Sequence, residues 1–172
     1  MTSARDAEFS AFVTARATRL LRFSTLLVGD AAAGEDLLQS VLEKTYRRWS
    51  KSGTARNPDG YVREALVNAA RRHWRVRGSR QETLVGLVPD QTIMGGQGTV
   101  LVREALLQAL SVLTKQQRAV IVLRYFADQS EAEVARLLGC SAGTVKAHAS
   151  RGLERMRSDK ALAGTFGSGG FQ

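Results

Sequence analysis

Apolar positions along the chain fall at the three- and four-residue spacing of a helix face. The first stripe is Phe9, Phe12, Val13, Leu20, Phe23, Leu26 and Leu27. Gly29 follows it, the residue type that closes helices in a left-handed conformation. Asp30 is placed to cap a second helix with the stripe Leu37, Leu38, Val41, Leu42, Tyr46 and Trp49. Its acids come early (Glu35, Asp36) and its bases late (Lys44, Arg47, Arg48), the order a helix dipole favours. "SKSGTARN" interrupts the periodicity. Asn57 and Pro58 then read as N-cap and first helical residue of a third helix. That helix carries Tyr61, Val62, Ala65, Leu66, Ala69, Ala70 and Trp74 and stops at Gly78.

Residues 79–98 hold Gly86, Pro89, Gly95, Gly96 and Gly98 and no helical stripe, which predicts an extended linker. Periodicity resumes at Leu101, Val102, Ala105, Leu106, Ala109, Leu110 and Leu113. "TKQQ" has the form of a capping box, Thr114 with Gln117, opening a helix that holds Val120, Ile121, Leu123 and Phe126. "SEAE" has the same form, Ser130 with Glu133. The tail 159–172 contains "GSGG" and predicts disorder. The expected fold is therefore all-α: two small helical modules, residues 5–78 and 100–158, joined by a flexible linker at 79–99. No tandem repeat is evident.

Composition narrows the function classes. Lys and Arg number 25 against 16 Asp and Glu, a net charge of +9. Both modules are basic, +6 over residues 1–77 and +4 over 100–158. A polyanion is the natural partner, nucleic acid before an anionic membrane, although such charge can also serve solubility alone. Cys140 is the single cysteine, so no internal disulfide is available. The amino-terminal MTSARDAEFS has no apolar core of a signal peptide. No apolar run approaches the ~20 residues of a membrane span. The expectation is a cytoplasmic protein without a membrane partner. No P-loop, HExxH, Cys/His cluster or paired carboxylates occur, so neither an enzyme nor a cofactor is expected.

The stretch Ser130–Arg157 carries the sharpest signal. With Glu131 as the first position of a helix-turn-helix, Ala135 falls at the fifth, where the helices cross and a larger side chain would separate them. Gly139 falls at the ninth, where the turn needs positive φ. Val134, Leu138, Cys140 and Val145 supply the apolar wedge, and Ser141 caps the second helix. That helix puts Lys146, Ala147, Ser150 and Arg151 on its outward side. Lysine and arginine donate to guanine O6 and N7 or neutralise phosphate. The Thr144 hydroxyl, with first-turn N–H groups, suits a phosphate. The plainer reading is a helical hairpin with a solvated basic face. In the third helix, Asn68, Arg71, Arg72, His73, Trp74 and Arg75 interleave bases with an aromatic. Five arginines (71, 72, 75, 77, 80) lie between Ala65 and Gln81 with no acid. Such a surface suits unpaired strand, with arginine on the backbone and rings on bases. Trp74 shares a stripe with Leu66 and Ala70, so core packing is its plainer role.

At this point the chain resembles the extracytoplasmic-function (ECF) sigma factors of the bacterial sigma-70 family, and within them the SigE-like actinobacterial group. "GEDLLQSVLEKTYRRW" is similar to the core-binding helix of region two. "YVREALVNAARRHWR" resembles the promoter-melting and minus-ten helix. "LTKQQRAVIVLRYFADQSEAEVARLLGCSAGTVKAHASRGLERMR" resembles region four. The likeness runs from about residue 8 to residue 157, in the family's order. It implies core RNA polymerase as partner, through the β′ clamp helices and the β flap, together with promoter DNA. Asp36, Leu38, Gln39 and Leu42 would face the clamp. Asn68, Arg71, Arg72 and Arg75 would serve minus-ten recognition and melting. Thr144, Lys146, Ala147, Ser150 and Arg151 would contact the minus-thirty-five element. An anti-sigma factor is a common partner in this family. The chain departs from the family pattern at Ser40, where glutamate is usual, and at Leu42, often an aromatic. The loop before Tyr61 also lacks an aromatic for a flipped-base pocket. A LuxR-type regulator is the alternative, because "TVKAHASRGLERM" resembles that recognition helix too. Such proteins carry a receiver or ligand-binding domain ahead of it, and no α/β pattern stands there.

Overall fold

The computed structural model describes residues 3–49, 56–78 and 97–159. All regular structure among them is helical, in two compact units, 1–84 and 85–172. The predicted linker up to residue 96, the loop 50–55 and the tail from 160 lie outside the described residues.

In the first unit α1 spans Ala4–Val28, α2 Ala31–Arg48 and α3 Pro58–Gly78. α1 starts a turn ahead of its apolar stripe because Ser3 and Asp6 form a capping box, the Ser3 hydroxyl accepting from the Asp6 N–H and the Asp6 carboxylate from the Ser3 N–H. Gly29 ends it at φ 79° and donates its N–H to the Thr25 carbonyl at 2.7 Å. Asp30 caps α2 by accepting from the Ala33 N–H at 2.6 Å. Asn57 caps α3 through the Gly60 N–H at 3.0 Å, with Pro58 at the first helical position. These stops fold α1 and α2 back on each other so tightly that a Cβ on Gly34 would stand 2.7 Å from the Thr25 Cα. Leu20, Leu38, Val41, Val62 and Leu66 form the core between the three helices. Burying each such side chain stabilises the bundle by about 1.5–3 kcal/mol.

The open end of the α1–α2 pair is closed by aromatics. Phe9 lies 5.1 Å from the Tyr46 ring and 5.0 Å from Trp49, the latter edge to face. Trp49 is buried, and its Nε1–H donates to Glu8 at 3.4 Å. The Arg5 guanidinium stacks 4.7 Å above the Tyr46 ring and donates to the Tyr46 carbonyl. The Tyr46 hydroxyl donates to the Asp6 carboxylate at 2.5 Å. That bond pulls the Asp6 carboxyl below its ordinary value and pushes the Tyr46 phenol above its own.

In the second unit α4 spans Gln97–Ser111, α5 Lys115–Ile121, α6 Glu131–Leu138 and α7 Ala142–Ser158. The Thr114–Gln117 capping box forms in both directions at 3.2 Å. Arg118 reaches back to donate to the Leu110 carbonyl at the end of α4, and burial pushes its guanidinium pKa down. α7 crosses α5 at Gly152, where a Cβ would meet the Ile121 Cδ1 at 2.7 Å.

Three details differ from expectation. α4 begins at Gln97, so residues 97–99 of the predicted linker are helical. α5 does not continue as an α-helix but widens into a π segment, Val122–Phe126, closed by the Ala127 N–H on the Val122 carbonyl at 3.0 Å. The wider turn shifts the register, so Val122 and Leu123 stay buried while Tyr125 and Phe126 are 55% and 45% exposed. Phe126 therefore leaves the apolar face it shares in the sequence pattern. At α6 only half of the second capping box forms. Ser130 accepts from the Glu133 N–H at 3.2 Å, but the Glu133 carboxylate binds Arg136 at 2.7 Å instead. A cation one turn away outcompetes a neutral N–H for a carboxylate.

Candidate nucleic-acid interface

The helix-turn-helix is α6, a tight turn and α7. Gly139 sits in the turn at φ 66°, ψ 40°, and its N–H closes α6 on the Ala135 carbonyl. A side chain at that φ is strained, which explains the glycine. Val134, Leu137, Leu138 and Val145 are buried between the helices, and Cys140 is a half-buried free thiol beside them. Ser141 caps α7 by accepting from the Thr144 N–H at 3.1 Å.

The cap fixes which residues α7 turns outward. Lys146, Ser150 and Arg151 are exposed. Ala147, expected beside them, is half-buried, as is His148. Thr144 is half-buried too, and its hydroxyl lies 2.9 Å from the Ser141 hydroxyl. The Thr144 N–H, counted in the sequence among the free first-turn donors, is taken by the cap. Arg155 and Arg157 occupy the last turn of α7, where cations suit the helix dipole. The outward face is thus a short cationic strip with one hydroxyl, on a helix long enough to lie in a major groove.

One group here was invisible to sequence reasoning. The Glu131 carboxylate, at the start of α6, lies 3.8 Å from the Lys146 ammonium and 4.0 Å from the Arg124 guanidinium. Its acidic position in a first turn was the only signal, and that points to the dipole rather than to a partner across the turn.

In the first unit, α3 exposes Asn68, Arg72 and Arg75 and half-buries Arg71, His73 and Trp74. Leu66 and Ala70 on its other side are fully buried. Arg16 on α1 grips Asp59 in the first turn of α3 at 3.0 and 3.1 Å, which ties the start of the helix to its neighbour. On α2, Asp36 and Gln39 are exposed, and Gln39 donates to Glu35 at 3.5 Å. Leu42 is half-buried against the core. Leu38 corrects the sequence reading. It is only 6% exposed, packed with Leu20, Val41, Val62 and Leu66, so its side chain is core and not contact surface. The stripe that places it on one helix face could not say which face the bundle buries.

Among the described residues no helix is long and apolar enough to cross a membrane. Fold and site together define an all-α protein of the helix-turn-helix class with a second, arginine-bearing helical unit. Residues 103–156 match the family model described as Sigma-70, region 4. The RNA polymerase sigma-E factor of Streptomyces avermitilis is 37% identical over 152 residues, 88% of this chain and 84% of that protein. The ECF RNA polymerase sigma factor SigL of Mycobacterium tuberculosis is 31% identical over 148 residues, 84% of each. The chain therefore belongs to the ECF sigma factors of the sigma-70 family. The sigma factor RpoE from Bartonella quintana, solved in complex with the anti-sigma factor NepR, shares the fold at a TM-score of 0.67 with 23% identity, covering 92% of this chain and 98% of that one. CnrH, solved with the cytosolic domain of CnrY, does so at 0.62 with 18% identity, covering 96% and 93%. No relative or solved structure among these is a LuxR-type regulator.

Proposed function

We propose that this sigma factor uses residues 5–78 as region two and 100–158 as region four, with 79–99 as the linker, its last three residues already the start of α4, and 159–172 as a tail. In this reading region four holds the upstream promoter element as duplex. Thr144, Lys146, Ser150 and Arg151 meet it, and Ala147 gives the backbone room to approach. The observation that carries the reading is the cap-fixed exposure of Lys146, Ser150 and Arg151 on α7 behind a glycine turn. Region two takes the minus-ten element through Asn68, Arg71, Arg72 and Arg75, capturing the non-template strand as it unpairs. Capture of the unpaired strand draws the equilibrium toward the open complex, and phosphate contacts by both units make the affinity salt-dependent.

Core RNA polymerase is the proposed partner, in the cytoplasm. Asp36, Gln39 and the exposed edge of Leu42 meet the β′ clamp helices, and region four meets the β flap. The chain makes and breaks no bond; polymerase does the chemistry. An anti-sigma factor is the proposed regulator, a reading supported by the fold shared with a sigma factor solved on one.

The test is the pair Lys146→Ala and Arg151→Ala. Together they are expected to abolish transcription from a promoter that needs its upstream element while leaving thermal unfolding unchanged, because both side chains are exposed. Unchanged output would remove α7 as the reading helix.

A further inference from the structure

The Arg124–Glu131–Lys146 group joins three elements: the π segment, the start of α6 and the outward face of α7. Its members differ in freedom. Arg124 is 30% exposed and anchored, its other amine donating to the Gln129 carbonyl at 2.7 Å. Glu131 is 35% exposed and sits at a helix N-terminus, which favours its charge. Lys146 is 70% exposed on a flexible stem, so it is the member that can leave.

We infer that Glu131 is a specificity-determining residue: it holds the Lys146 ammonium away from DNA phosphate, so that the lysine engages only where base-edge acceptors of the correct element replace the carboxylate. The inference rests on the proposed placement of α7 in the major groove. Its physical basis is a competition. An exposed carboxylate–ammonium pair is weak and readily exchanged. A phosphate offers the lysine another single anion, so on random sequence the exchange brings little. Guanine O6 and N7 add directed acceptors in a groove that excludes water, so on the correct sequence the exchange is favoured. The same carboxylate repels phosphate near the start of α6, where the first helix of such a motif crosses the DNA backbone. That repulsion is the same on every sequence; the lysine exchange is what lowers affinity for wrong DNA more than for right DNA.

The experiment uses the full chain assembled with core RNA polymerase. Affinity is measured over a range of KCl concentrations on a promoter duplex and on the same duplex with the upstream element scrambled. Glu131→Gln is expected to raise affinity for the scrambled duplex several-fold and lower discrimination by a similar factor. The logarithmic salt slope should steepen by about 0.9, the value for one added phosphate contact. Glu154→Gln, an equal charge change on an exposed site of α7, controls for net charge and should do clearly less. Glu131→Asp keeps the charge and the dipole contact but withdraws the carboxylate by one methylene, and should lower discrimination in the same direction. In a Lys146→Ala background, Glu131→Gln should leave discrimination unchanged, because only a repulsion that is the same on every sequence is left to remove. Wild-type discrimination in both Glu131 variants, with Lys146→Ala defective, overturns the inference and leaves the proposed reading standing. Wild-type discrimination in Lys146→Ala overturns the reading itself, and the inference with it.

Discussion

Gly34 gives a prediction whose sign separates local propensity from tertiary packing. It lies inside α2, where alanine is better than glycine by about 1 kcal/mol. A sequence-level argument therefore expects Gly34→Ala to stabilise the protein. The structure argues the reverse. The new Cβ would stand 2.7 Å from the Thr25 Cα and 2.8 Å from the Thr25 nitrogen. Those are backbone atoms of a neighbouring helix and cannot swing aside. α1 and α2 must separate, which loosens contacts around Leu38 and Val41 as well. Overpacking of this kind costs about 1–3 kcal/mol, and the upper part of that range applies when the obstacle is backbone. After subtracting the propensity gain, the expected net loss is about 1–2 kcal/mol, and the midpoint of a unit this size falls by about 5–15 °C. Both tryptophans, Trp49 and Trp74, lie in the first unit, so their fluorescence follows its unfolding separately from the second. A midpoint equal to or above wild type would refute the close approach of α1 and α2.

Two further outcomes follow from the same geometry. The Tyr46–Asp6 bond lowers the Asp6 pKa, so its stabilisation is present above the ordinary carboxyl value and is lost as pH falls through the unfolded and then the folded pKa. The phenol pKa is raised, so that side of the bond is lost as pH rises past the ordinary tyrosine value. Tyr46→Phe should therefore flatten both the acid and the alkaline edges of stability measured by urea unfolding, and unchanged edges would remove the bond from the account. In the proposed region two, alanine variants of Asn68, Arg72 and Arg75 should fail on duplex promoters yet recover on a pre-melted bubble template; failure on both would place these residues at another step.

Features whose cause is local were legible in the sequence. Gly29, Asp30, Asn57 with Pro58, Thr114 with Gln117, Gly139 and Ser141 each act within one turn, and each stands where the pattern put it. The helix-turn-helix was readable because its requirements at Ala135 and Gly139 are steric and fixed in spacing. What escaped depends on neighbours distant in sequence. Leu38 and Leu42 share a stripe, but only the packing of α1 and α3 decides that Leu38 is buried and Leu42 half-exposed. Phe126 kept its place in the periodicity until the π turn shifted it outward. Glu133 chose Arg136 over its capping role, and Glu131 met Lys146 across a turn, because a nearby charge decides where a carboxylate goes. For Asn68, Arg72 and Arg75 the sequence showed an acid-free cationic run, and the exposed side of α3 keeps those three outside the core.

The central claim is that this chain redirects polymerase. The most direct measurement mixes the purified protein with bacterial core RNA polymerase and maps transcripts from fragmented genomic DNA of its source. The account predicts discrete start sites that share two spaced elements and are absent with core alone. Core left unbound and start sites unchanged, while the protein alone still binds DNA with a steep salt dependence, would contradict it.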